Sequence, residues 1–289
     1  MMCLLGAIAN GISHDTISTL QNLENADSLS QGSSSMKMHN LRQRLKDQEL
    51  LMGTMITLAS PAVTEMLSQL DFDWFFVDGE HGPLETTDMM GIMQAAEPSV
   101  PCVVRVPVAD EVWIKKFLDC GAAGIIAPQV NSPEHAAQVV SWTRYAPEGT
   151  RGVGLGRAHG YGVSFGDYVD RANDEIACII QVEHIDAVNC VEETIKVPGV
   201  DCILLGPYDL SASMGKMGQV DDPEVIAAID HVTKTCQAAG MPLGYFGVSP
   251  DAIKPYVDQG YTLVVAGTDT ILLASGARHF LKKLAPEAS

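Results

Sequence analysis

The sequence predicts a (β/α)8 TIM barrel, and three observations carry that reading. Short apolar runs alternate with segments of helical spacing eight times along the chain. Runs that are apolar on both faces belong to a parallel sheet covered by helices, because a half-solvated sheet would alternate apolar and polar residues. No second composition regime marks another domain, and the 289 residues exceed the roughly 250 that such a barrel uses. An open doubly wound sheet shares the alternation. However, no G-x-G-x-x-G follows the first strand, which counts against a dinucleotide crevice.

Residues 1–35 read as a flexible N-terminal extension that ends in the polar stretch QGSSS, and residues 36–289 as the barrel domain. A short helix is expected over 40–48, with Leu41 and Leu45 on one side. The first strand is 51–58, and Ser60-Pro61 opens a helix to residue 70 by N-cap and first-turn proline chemistry. Strands follow at 74–77, 102–106 and 124–127, each trailed by a helix, at 86–96, 110–120 and 133–145. A Gly-rich passage, 149–166, precedes a helix-like 168–173. The fifth and sixth strands are 177–182 and 201–205, with one helix predicted between them at 186–196. A helix at 223–240, a strand at 242–246 and a helix at 250–259 come next. The eighth strand, 262–266, and a closing helix, 270–284, complete the set.

The chain is 46% hydrophobic and 19% charged, with a formal net charge of −18. So acidic a protein is a poor candidate for binding nucleic acid or anionic membrane. Its seven cysteines include no C-x-x-C pair, and several lie inside apolar runs. This usage points to a reducing cytoplasm, without a disulfide framework or zinc ribbon. No apolar run reaches the roughly 18 residues of a membrane helix.

The ionisable residues gather at the carboxyl ends of the predicted strands, where barrel sites are built. Glu183 ends the fifth strand, and Asp209 stands just past the sixth. Two hard oxygen ligands facing one mouth suit Mg²⁺ or Mn²⁺, with Co²⁺ a further candidate; the competing reading is a pair of solvated loop carboxylates. Asp78 lies three residues before His81, and a carboxylate beside an imidazole prepares a general base. Arg105, at the end of the third strand, either pairs with an acid such as Glu80 or stabilises a developing enolate oxygen. Gly206–Asp209 offers backbone N–H groups to a carboxylate. His184 should point away from Glu183, and His159 sits in the Gly-rich passage.

Taken in order, DWFFVDGEHGP, CVVRVP, RYAPEGTRGVG, QVEH, GPYDLSASMG and VVAGTDTILL resemble the HpcH/HpaI aldolase family of metal-dependent pyruvate aldolases. The resemblance covers residues 40–284. It implies aldol cleavage or condensation of 4-hydroxy-2-oxo acids, giving pyruvate and an aldehyde. Glu183 and Asp209 would be the metal ligands and Gln181 a pyruvate contact beside them. Arg105 would meet the pyruvate oxygen, and His81, paired with Asp78, would be the acid/base. Gly206 and the backbone around Tyr208 would cradle the pyruvate carboxylate. A hexamer built as a trimer of dimers, with exchanged C-terminal helices, is also implied. Two departures concern the aldehyde side: Tyr208 replaces a smaller residue, and the 152–166 loop, expected to bound that side, is not Arg-rich. An oxaloacetate decarboxylase, or an enolate enzyme similar to macrophomate synthase, is the alternative. A non-catalytic keto-acid sensor is a third reading.

Overall fold

The computed structural model describes residues 40–97 and 99–284, so the extension expected over 1–35 lies outside the described residues. Eight parallel strands close into a barrel in chain order. They are β1 (Leu51–Ile56), β2 (Trp74–Asp78), β3 (Cys102–Arg105), β4 (Gly124–Ala127), β5 (Ala177–Val182), β6 (Cys202–Leu205), β7 (Leu243–Gly247) and β8 (Leu263–Thr268). β8 returns to pair with β1, with one register shift between Gly53 and Met55. Strand pairing sets Asp78 opposite Arg105 and Val182 opposite Leu205, so the residues that follow these ends share one rim.

The helices are α1 (Leu41–Lys46), α2 (Pro61–Ser68), α3 (Thr86–Ala96), α4 (Glu111–Asp119), α5 (Pro133–Thr143), α6 (Phe165–Glu175), α7 (Ile185–Asn189), α8 (Val191–Thr194), α9 (Pro207–Ser213), α10 (Pro223–Ala239), α11 (Pro250–Asp258) and α12 (Asp269–Leu284). A Ser or Asp N-cap followed by proline opens α2, α5, α10 and α11. The cap side chain accepts an N–H that the helix leaves unpaired, and proline has no N–H to leave.

Two structural differences from the sequence reading concern single elements. The helix expected over 186–196 is two short ones, because Cys190 leaves helical backbone (φ −122°, ψ 16°). The segment after β6, for which the sequence reading gave no element, forms α9, with Pro207 at its first position.

The core has two parts. One fills the space between sheet and helices, around Phe75, Ile125, Ile180 and Val232. The other fills the barrel and includes Met55, Trp74, Phe76, Ile179, Leu204 and Val265. Gly53 makes room inside, since a Cβ there would come within 2.8 Å of the Trp74 ring. Leu41 and Leu45 of α1 belong to this inner cluster and are buried; α1 therefore plugs the end of the barrel where the strands begin. That floor is fastened by Asp201, just before β6. Its carboxylate accepts from Arg42 Nε at 2.8 Å, from the Cys178 N–H at 2.9 Å and from Arg144 Nη2 at 3.4 Å.

The Gly-rich passage also belongs to the floor, contrary to the expectation that the 152–166 loop helps bound the aldehyde side. Arg151 Nη2 donates to Asp119 Oδ1 at 2.9 Å. Arg157 donates to the Cys120 carbonyl and pairs with Glu97. These partners end α3 and α4, and helices antiparallel to the strands end at the strands' beginnings. His159 is buried there, with Nε2 2.9 Å from the Tyr145 hydroxyl, and does not reach the mouth.

α12 stands apart from the other helices. Only Asp269 of its residues is buried, and Leu273, Phe280, Leu281 and Leu284 are exposed. Asp269 ties its start to β1 by accepting from the N–H groups of Thr57 and Leu58 at 2.9 and 2.8 Å.

Candidate active site

The mouth, at the carboxyl ends of the strands, contains a cavity of about 80 Å³ lined by Phe76, Arg105, Gln181, Gly206, Tyr208 and Asp209 among others. Arg105 ends β3 and reaches across to Asp78 at the end of β2. Nε donates to Oδ1 at 2.9 Å and Nη2 to Oδ2 at 2.8 Å, the bidentate arrangement that fixes a guanidinium plane. Nη1 lies 3.3 Å from Glu80, and the group stacks over Phe76 at 5.2 Å. Burial works against the Arg105 charge, but the hydrogen bonds and charge of Asp78 outweigh it and hold its pKa above the usual value.

This geometry corrects the predicted Asp78–His81 pair. Both Asp78 oxygens serve Arg105, and Oδ1 also accepts the backbone N–H groups of Glu80 and His81. Asp78 therefore positions Arg105 and the turn after β2 and does not orient the imidazole. The His81 side chain is 69% exposed, with Nε2 3.8 Å from Glu80 Oε2. The structure shows the ion-pair reading of Arg105, with Asp78 and Glu80 as its partners, and places the guanidinium in the lining of the cavity.

Glu183 is 2% exposed and faces neutral donors. Oε1 accepts from the Gln129 N–H at 2.8 Å and from Gln129 Nε2 at 3.0 Å; Gln181 Nε2 contacts Oε2. Desolvation raises the Glu183 pKa, the Gln129 bond opposes this, and the nearby Glu80 and Asp209 charges add to it. Glu80 is shifted upward as well, chiefly by burial. Gly206 holds the space open, since a Cβ there would lie 2.8 Å from Glu183 Cβ and 3.1 Å from its Oε2. Asp209 sits in the first turn of α9, where an acid complements the helix dipole. His184 turns away, its Nδ1 accepting the Asp186 N–H, as strand alternation predicts.

Sequence reasoning missed Gln129. Its backbone is left-handed at φ +54°, uncommon for a residue with a side chain, and this turn aims both its N–H and its amide at Glu183. Such strain concentrates at functional sites. Pro128-Gln129 gives no hint of it, because nothing in the local sequence demands a positive φ.

The donor set fits a hard divalent cation. Among the described residues the buried Glu183 carboxylate has no ion pair, Arg105 acting on it only through space; a second acid, Asp209, stands near it, and the Gln181 Oε1 is buried without a hydrogen bond. Among the described residues no cluster of three or more His, Cys, Asp or Glu side chains forms a complete metal cage. Two carboxylates with open positions suit an ion that keeps water and a chelating substrate.

Comparison with known proteins follows the same lines. The sequence pattern of the HpcH/HpaI aldolase/citrate lyase family matches residues 52–276. The chain is 38% identical over 250 residues to 2-dehydro-3,6-dideoxy-6-sulfogluconate aldolase of Pseudomonas putida, covering 84% of this chain and 98% of that one. It is 40% identical over 230 residues to hydroxypyruvate/pyruvate aldolase of Deinococcus radiodurans, covering 78% and 82%. The crystal structure of an HpcH/HpaI aldolase/citrate lyase family protein from Burkholderia cenocepacia superposes with a TM-score of 0.81 at 35% identity, over 84% of this chain and 98% of that one.

Proposed function

Because this chain belongs to the HpcH/HpaI aldolase/citrate lyase family and is a carbon–carbon lyase, we propose that it cleaves and forms 4-hydroxy-2-oxo acids, exchanging them with pyruvate and an aldehyde. The observation that carries this reading is the buried Glu183 carboxylate, held by neutral donors beside Asp209 and the Arg105–Asp78 pair. A divalent cation held by Glu183 and Asp209, Mg²⁺ or Mn²⁺ by its oxygen donors, supplies Lewis acidity to the ketone.

The protein's own residues supply the rest. The first-turn N–H groups of α9 at Tyr208 and Asp209 have no partner within the helix and receive the substrate carboxylate. The Gln181 amide orients the 2-oxo acid. Arg105, locked by Asp78, has more donors than its three contacts use and stabilises the charge that develops on the keto oxygen. His81, near Glu80, takes the proton of the C4 hydroxyl directly or through water. The C3–C4 bond then breaks, the aldehyde leaves, and a proton returns to C3 to give pyruvate. Without His81 the enolate steps remain. His81→Ala should therefore lose far more aldol cleavage than oxaloacetate decarboxylation, and equal losses would remove it from this role.

The exposed apolar residues of α12 support a homo-oligomer in which this helix covers a second copy, the arrangement of a trimer of dimers. Among the described residues no helix is long and apolar enough to cross a membrane, and the described cysteines are free thiols. Both accord with a cytoplasmic enzyme.

The direct test is proton NMR of pyruvate in D₂O with the enzyme and Mg²⁺ or Mn²⁺. The C3 methyl signal should disappear with metal and persist with EDTA. Exchange that survives EDTA, or that Glu183→Ala retains, would overturn the assignment.

A further inference from the structure

Resting on the cation proposed above for Glu183 and Asp209, we infer that Gln129 is a positioning residue that sets which cation the site prefers. Gln129 commits one Glu183 oxygen and leaves the other for the ion. The site thereby favours an octahedral cation such as Mg²⁺ over Ca²⁺.

The two Glu183 oxygens are held differently. Oε1 accepts from the Gln129 N–H at 2.8 Å and from Gln129 Nε2 at 3.0 Å, so a single residue closes a ring on that atom. One of the two donors belongs to the main chain, and a left-handed backbone at φ +54° aims it. A residue with a side chain keeps that conformation only where its surroundings fix it. The N–H cannot turn away without redirecting the chain between β4 and α5. Strand register brings it there: Ala127 at the end of β4 pairs with Ile180 of β5, so the chain past Pro128 runs beside Glu183.

Oε2 is held by one side-chain donor, Gln181 Nε2, and the Oε1 of that amide is buried without a hydrogen bond. A Cβ on Gly206 would lie 3.1 Å from Oε2. Gln181, Gly206 and Asp209 all line the cavity. Oε2 is therefore the oxygen on the cavity side, with the second proposed ligand, and Oε1 is the oxygen on the side of the β4–α5 turn.

How many oxygens a carboxylate presents separates cations of equal charge. Ca²⁺ takes roughly six to eight oxygens in flexible geometry and accepts bidentate carboxylates, whereas Mg²⁺ demands near-ideal octahedral geometry at shorter distances. An oxygen that already accepts two N–H groups makes a poor further ligand. Gln129 thus holds Glu183 to one strong ligand bond, which suits the octahedral ion and deprives Ca²⁺ of a bidentate partner.

The test reads cation binding and not turnover. Metal-stripped, full-length protein is loaded with Mn²⁺, the free ion is followed by EPR, and Mg²⁺ or Ca²⁺ is titrated against it. Gln129 is exposed, so replacing it removes no core packing. Gln129→Met keeps the length and the main-chain N–H and removes the amide. Gln129→Gly keeps the N–H and accommodates the left-handed backbone without strain. In each variant the preference for Mg²⁺ over Ca²⁺ should fall at least threefold. An unchanged preference in either folded variant overturns the inference, and so does equal weakening of both ions, which is what a merely structural role would give. Those results leave the cation assignment standing when wild type binds Mn²⁺ and Glu183→Ala does not. Wild type that binds no Mn²⁺, or Glu183→Ala that binds it as tightly as wild type, overturns that assignment and this inference together.

Discussion

Two buried carboxylates, one at each end of the barrel, are treated in opposite ways. At the floor, Asp201 has two arginines and a backbone N–H around its oxygens. At the mouth, Glu183 is hydrogen-bonded by amides and stands near other acids, with Arg105 acting on it only through space. A buried charge is tolerated where opposite charge and hydrogen bonds replace its lost hydration. Asp201 meets that condition within the chain and fastens α1, β5 and β6. Glu183 forms no ion pair within 4 Å among the described residues, and this is what supports the proposal that it holds a cation. The compensated carboxylate is architecture; the other is, on the proposed reading, a ligand for the cation.

That contrast can be broken from either end. The largest effect is expected at the floor. Asp201→Asn leaves Arg42 and Arg144 without their shared counter-charge and should destabilise the fold by about 3–5 kcal/mol, read as a lower urea midpoint at pH 7. A midpoint unchanged within error would mean that the floor pairs are ornamental.

Arg105→Lys comes next. It replaces a fixed, bidentate fork by a mobile point charge and should cost at least about tenfold in kcat, or about 1.4 kcal/mol. Wild-type turnover would place Arg105 outside the chemistry.

The smallest effect has the opposite sign from the first. In metal-free protein Glu183→Gln should raise the urea midpoint slightly at pH 7 and above. The Glu183 pKa is raised on folding. The folded state therefore binds more protons than the unfolded state between the ordinary glutamate value and the shifted one. The resulting stability is full below the unfolded pKa and is lost as pH rises through the folded pKa. A neutral amide avoids that loss. It can also donate to Gln181 once that amide turns its unbonded Oε1 toward it. Equal destabilisation of Glu183→Gln at pH 5 and pH 8 would contradict the sign.

Much of this was legible in the sequence. The strands are buried on both faces and so read as continuous apolar runs, which gave all eight. The strand ends gave Asp78, Arg105, Gln181, Glu183 and Asp209, and the structure brings their segments to one rim. What the sequence hid is lateral. Asp78 takes Arg105 as its partner through strand register across 27 residues, whereas His81, three residues away in sequence, has its ring elsewhere. The Gly-rich passage goes to the floor because Arg151 and Arg157 find acids at the ends of α4 and α3, and sequence distance says nothing of such pairs. The Gln129 turn is set by what it must face. α9 was readable in principle, since Gly206-Pro207 has the same first-turn proline that marked α2.

The plug formed by Leu41 and Leu45 has a kinetic consequence. It leaves the barrel with one door. On the proposed reading, the 2-oxo acid lies deepest, against Gln181 and Glu183, and the aldehyde lies nearer Tyr208 at the opening. Traffic through a single entrance is last in, first out. In cleavage the aldehyde must depart before pyruvate, and in synthesis pyruvate must already be seated when the aldehyde arrives. Product inhibition by pyruvate should then be competitive against the 4-hydroxy-2-oxo acid, while inhibition by the aldehyde should be mixed.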